Sequence, residues 1–240
     1  MPYYLKRPLA FFLLMLILCG QSQAEPVQQT SPYEFARAFV EQLIETHQGE
    51  QLAAQEFAAA RKDADSQQQI LISAIRNCTR MKLKLNVMIG RVEQMHLADA
   101  NFDTLPSYLT QMYARKVDLC DEIVQTAQTL LEGPKVGVDY GKLAGHMPEV
   151  TAQVEYVNEL IFKATPMVAL SLVSNRPDSK NQLSHLSITH RQAQDLVGRL
   201  QTAFGRSLEA KDGSWTIRSA NLMRTMLRDN GYKYADDPWF

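Results

Sequence analysis

The sequence predicts an all-α fold, an elongated helical bundle built on a disulfide-stapled antiparallel hairpin with two shorter C-terminal helices. Three observations carry this. Apolar residues recur at helical spacing along most of the 240 residues. No run of alternating apolar residues stands between turn signals, as strands would require. Two stretches between Ser66 and Glu132 repeat apolar residues every seven positions, and each carries one cysteine on its seam.

Residues 1–24 stand apart from the fold. Lys6 and Arg7 precede an apolar run from Leu9 to Cys19, and Ser22-Gln23-Ala24 supplies a small-x-small cleavage pattern. That is the form of a secretory signal peptide, too short for a comfortable membrane span. Cleavage is expected between Ala24 and Glu25, and the expected location is the periplasm of a bacterial cell envelope. Leu18 is too large for a good lipobox, which argues against a lipid anchor at Cys19.

Removing the leader takes away Lys6 and Arg7 and no acid, so the formal charge moves from −1 to −3. A weakly acidic chain without a long basic run lacks the electrostatic footprint for nucleic acid. Of the three cysteines, Cys78 and Cys120 remain. Two cysteines in an exported chain read as one disulfide, the alternative being two buried free thiols.

Ser31-Pro32-Tyr33-Glu34 opens the first helix with a Ser cap, Pro in the first turn and Glu at the third position. Phe35, Phe39, Leu43, Leu52, Ala53, Phe57 and Ala60 keep its apolar spacing. Gly49 predicts a break into two pieces, 33–47 and 50–63. Ser66 and Gln69 form a capping-box pattern for the next helix. Leu71, Cys78, Leu85 and Val92 repeat every seven residues beside Ala74, Met81, Met88 and Met95. Arg76, Arg80, Lys82, Lys84 and Arg91 fall off this seam and read as its solvated flanks. Some 30 residues of helix span about 45 Å.

A polar loop follows, with Asp103 or Thr104 as cap and Pro106 in the first turn of the third helix. Its seam reads Tyr113, Val117, Cys120, Val124, Ala127 and Leu131, and Glu132-Gly133-Pro134 ends it. With the chain folding back near residue 100, Cys78 and Cys120 come level to within about one helical turn, about 5 Å. A bridge there closes a loop of about 43 residues and should stabilise by about 4 kcal/mol.

Residues 135–148, with Gly137, Gly141 and Gly145, predict an irregular crossover. A fourth helix is expected from Pro148 to about Ser174. Val150, Val154, Val157, Ile161, Ala164 and Val168 form its buried face, and Pro166 is a kink. Asn175 to Lys180 reads as a linker, with a sub-division at about 175–186 inside a single domain, 25–240. Thr189 and Gln192 start a fifth helix buried through Ala193, Leu196, Val197, Leu200, Phe204 and Leu208. Ser214 or Thr216 starts a sixth, ended by Asn230-Gly231. The tail carries Tyr234, Trp239 and Phe240, candidate contacts for a partner.

No recognisable chemistry accompanies this architecture. There is no Gly-x-Ser-x-Gly elbow, no P-loop and no Cys-x-x-Cys-His haem attachment. Glu93 and His96 have the spacing of one half of a carboxylate-bridged di-iron site, but a bundle needs two such pairs. His47, His146, His185 and His190 form no set, and Asp118, Asp121, Glu122, Asp236 and Asp237 read as solvated. Met81, Met88 and Met95 could ligate copper or haem, yet neighbours seven residues apart stand about 10 Å apart along a helix. Only a second helix could complete a site, and core packing explains the same pattern. No cofactor or metal is therefore expected. The favoured expectation is a non-enzymatic, exported protein acting through an unknown protein partner, as an adaptor, chaperone-like factor or inhibitor. The alternative is a bundle binding a metal, haem or small molecule.

Overall fold

A capping box starts the first helix. The Ser31 hydroxyl accepts the Glu34 N–H and the Glu34 carboxylate accepts the Ser31 N–H, each at 3.2 Å. The computed structural model describes residues 29–60, 66–133, 136–173, 186–210 and 213–232, and within them the chain is all-helical. Six α-helices follow in order: α1 (Pro32–Ala60), α2 (Ser66–Val92), α3 (Leu105–Leu131), α4 (Tyr140–Leu170), α5 (His190–Phe204) and α6 (Trp215–Asp229). A 3-10 turn, Gly205–Glu209, follows α5 directly. The only β pairing among the described residues is an isolated bridge between Val173 and Leu186.

α2 and α3 form the expected hairpin. The short connection 93–104 turns the chain back, and the two helices meet near mid-length, with Cys78 beside Cys120 and Lys82 bonded to Asp121. The hairpin carries no staple. Cys78 and Cys120 are free thiols, 4.3 Å apart and not bonded, about twice the length of an S–S bond. Packing and the Lys82–Asp121 pair hold the hairpin in this form: Leu85, Met88 and Val92 of α2 and Leu109, Tyr113 and Leu119 of α3 are buried in the common core.

Other boundaries differ from the sequence reading for identifiable reasons. α1 runs unbroken through Gly49, because a helix-interior glycine costs only about 1 kcal/mol relative to alanine. Burial of Phe35, Phe39 and Leu43 in the first half, and the bonds of Glu50 to Thr216 and of Glu56 to Asn77 and Arg80 in the second, outweigh that. α4 begins at Tyr140 rather than Pro148: Asp139 caps it by accepting the Lys142 N–H at 3.1 Å, and Pro148 and Pro166 both lie inside the helix. Thr104 makes no side-chain cap for α3; the helix grows out of the preceding turn, where Leu105 N–H bonds the Phe102 carbonyl. The cap of α2, the linker at 175–180, the leader and the tail from 233 lie outside the described residues.

α4 lies antiparallel on α3, with Arg115 bonded to Gln153, Lys116 to Asn158 and Tyr108 to the Leu160 carbonyl. Thr189 and Gln192 form the expected capping box of α5, and all six residues predicted for its face are buried. The C-terminal helices pack back on the bundle. His47 of α1 stacks on Phe204, Thr165 of α4 bonds Ser219 at 3.1 Å, and Arg218 pairs with Glu159. One hydrophobic cluster takes side chains from all six helices. At its surface Glu41 gathers Arg37, Arg91 and Arg199, joining α1, α2 and α5, each exposed pair being worth about 1 kcal/mol or less.

Candidate functional site

Lys116 follows Tyr113 by three residues and precedes Cys120 by four, so the three share one face of α3. That face is the buried one. The seam seen in the structure runs Leu109, Tyr113, Lys116, Cys120, Ile123 and Ala127: Tyr113, Cys120 and Ala127 fall where the sequence places them, while Lys116 and Ile123 replace Val117 and Val124, which are only half-buried. Lysine thus occupies a core position, 3% exposed.

Around it α1, α2, α3 and α4 leave a cavity of about 220 Å³. Lys116, Cys120 and Ile123 of α3 and Asn158 of α4, all buried, form its floor. Cys78 and Met81 of α2 and Gly49 and Ala53 of α1 form its sides. The exposed Leu52, Arg80, Lys84 and Glu155 stand at the rim.

The Lys116 Nζ donates to Asn158 Oδ1 at 2.8 Å and lies 5.1 Å from the centre of the Trp215 ring, a cation–π contact. An ammonium has three donors, and the Asn158 bond is the hydrogen bond it makes among the described residues. Burial pushes its pKa below the ordinary 10.5, opposed chiefly by Glu50. Glu50 is itself held by the Thr216 hydroxyl at 3.0 Å.

That shift has a measurable sign. Between the lowered value and 10.5 the unfolded chain keeps a proton that the folded chain has released. The cost of holding an interior ammonium is therefore full at lower pH and shed as pH rises through that window. Urea unfolding of wild type and Lys116→Met at a series of pH values is expected to show the wild type gaining stability relative to the variant as pH approaches 10.5. A constant difference would mean that Lys116 is solvated.

The thiols complete the cavity wall. As close neighbours they separate in acidity: Cys78 is pushed up by the adjacent Cys120 thiol and by burial. Cys120 is held below the ordinary range by the Cys78 thiol, with Lys116 acting in the same sense against burial.

Other residues singled out in the sequence separate spatially. Among the described residues no group of three or more His, Cys, Asp or Glu could hold a metal ion. Glu93 and His96 are exposed at the end of the hairpin, and Met88 and Met95 pack in or against the core. His47 is buried and its stacking on Phe204 was not expected; burial lowers its pKa. Asp121 pairs with Lys82. His185, Asp236 and Asp237 lie outside the described residues, as do Ala24, Glu25, Tyr234, Trp239 and Phe240.

His146 bridges α4 to α3, with Nε2 2.6 Å from Glu122 and Nδ1 3.2 Å from Glu149. Its bonds to Glu122 and then Glu149 raise its pKa above 6.5. The tie is therefore fully present below 6.5 and lost as pH rises through the raised value. An NMR titration should find the imidazole midpoint above 6.5 in wild type and lower in Glu122→Gln. Equal midpoints would rule the tie out in solution.

Lys116, Asn158, Glu50 and Trp215 are absent from the sequence reading. A signal for the first existed: Lys116 is the charged residue at helical spacing between Tyr113 and Cys120. No family model, curated protein or solved structure matches this chain.

Proposed function

We propose that the chain is an exported binding protein whose cavity between α1 and α4 takes a small, largely apolar molecule bearing one acidic group, seated at Lys116. The single observation supporting this is a buried lysine with open donor capacity on the floor of a largely apolar cavity. An engineered apolar cavity of about 150 Å³ holds benzene. The larger volume here suits a ring with a short substituent, or a short alkyl chain. A carboxylate brought to Lys116 favours its ammonium form and offsets the burial that disfavours it. This moves the binding reading ahead of the partner reading, which rested on absent motifs and on the tail.

Calorimetry with benzoate and with toluene as probes tests the reading. Wild type should bind benzoate, and Lys116→Met should lose about 2 kcal/mol of that binding, the worth of a charged hydrogen bond, while keeping affinity for toluene. Absence of benzoate binding to folded wild type would refute the reading.

One observation supports protein contact as a second reading. Leu83 and Val87, one turn apart on α2, are 64% and 63% exposed and form an apolar step on the outer face of the hairpin. Glutamate at both positions should leave folding intact and abolish any partner captured from envelope extract. Tyr232 is buried in the core, so a deletion testing the tail has to begin at Lys233. Among the described residues no helix is long and apolar enough to cross a membrane. Export through the cleaved leader completes the proposal.

A further inference from the structure

The cavity wall holds three sulfurs from two helices. Cys78 and Met81 are three residues apart on one face of α2, and Cys120 of α3 faces Cys78. The thiols are 4.3 Å apart. A metal–thiolate bond is about 2.3 Å, so two sulfurs on one ion are about 3.8 Å apart at a tetrahedral angle and about 4.6 Å apart in line. The observed spacing falls between the two, opened beyond tetrahedral toward linear, as for an ion with two or three ligands.

From this geometry we propose that the dithiol form of the protein binds one Cu(I) ion between Cys78 and Cys120, with the Met81 thioether as third donor. Soft thiolate and thioether ligands select Cu(I). No histidine lines the cavity, and the carboxylates of its lining, Glu45, Glu50 and Glu155, join no group of three or more His, Cys, Asp and Glu that could hold a metal ion among the described residues. Binding replaces two thiol protons, which pass to solvent, with two Cu–S bonds, and no oxidation state changes. Two thiolates on Cu(I) leave one negative charge. Lys116, one turn before Cys120 on the same face and buried beside the pair, supplies the counter-charge. The inference stands without the organic-ligand reading, because its donors are the sulfurs and its probe is the metal.

The experiment uses anaerobic, fully reduced protein lacking residues 1–24, and so Cys19, with two titratable thiols per chain and Cu(I) presented as its coloured bicinchoninate complex. One equivalent should transfer to the protein with loss of the probe's colour, and both thiols should then resist alkylation. Cys78→Ser and Cys120→Ser should each abolish the transfer. Lys116→Met should weaken it by about 10–100-fold, as loss of an outer-shell partner does. Circular dichroism melting shows which variants fold. X-ray absorption on copper-loaded wild type reads the site without any variant, and a shell of sulfur alone is expected. Nitrogen or oxygen in that shell, no transfer to reduced wild type, or Zn(II) binding as tightly as Cu(I) would each overturn the proposal.

Discussion

Trp215→Ala is expected to lower the free energy of unfolding by about 3–5 kcal/mol, in the range of large aromatic truncations in cores. Trp215 is the first residue of α6 and is 4% exposed. Its ring lies against Lys116 of α3, so truncation removes three things together: apolar burial, the docking of the start of α6, and the π face over an interior cation. A desolvated cation–π contact contributes about 2 kcal/mol, and Trp215→Leu separates that part from packing. Trp215→Phe should cost less, because it keeps a ring for Lys116. It also discards the indole N–H, which is buried without a hydrogen-bond partner among the described residues. Urea unfolding followed by circular dichroism gives all three values. A loss below about 1 kcal/mol for alanine, the level of ordinary surface changes, would place Trp215 outside the core.

The same residue shows what the sequence could and could not disclose. Helix identity was legible wherever an amphipathic stripe repeated, as in α5, whose cap and whole buried face were predicted residue by residue. Such a stripe is a local signal, written at intervals of three and four. Starts of helices were legible when a side chain makes the cap, as at Ser31, and hidden when a turn leads in, as at Leu105. Pro148 misled because proline marks first turns more often than interiors. The crossover before it is the first two turns of α4.

The candidate site was harder to read because its logic is not local. Cys78 and Cys120 were placed inward and level correctly, from periodicity and hairpin arithmetic. Lys116 was overlooked because a lone lysine is normally a solvated residue. Only the assembled bundle brings Asn158 from α4 and Trp215 from α6 to its Nζ. The methionine repeat was read as core, and most of it is core. Met81 is the exception that lines the cavity, half-buried just before the stretch of α2 where Leu85, Met88 and Val92 go fully into the core. What the sequence lacked was the knowledge of where one helix face is left incompletely filled.

Oxidising the thiols should have the second large effect. Closing Cys78 on Cys120 encloses a loop of about 43 residues, and the chain-entropy relation assigns about 4 kcal/mol to such a bridge. The thiols must approach from 4.3 Å to bonding distance, so part of that gain is spent drawing α2 and α3 together across the cavity wall. Guanidinium unfolding of oxidised and reduced wild type should therefore differ by up to about 4 kcal/mol in favour of the oxidised form. Cys78→Ser should follow the reduced curve under both conditions. A difference near zero in wild type whose thiols are shown to be consumed would mean that strain cancels the entropic gain. The hairpin would then be indifferent to its redox state. A difference near the full value would mean that the bundle yields easily where Cys78 and Met81 line the cavity. The size of the gap thus measures the stiffness of the wall around Lys116, and with it how far the cavity adapts to what it binds.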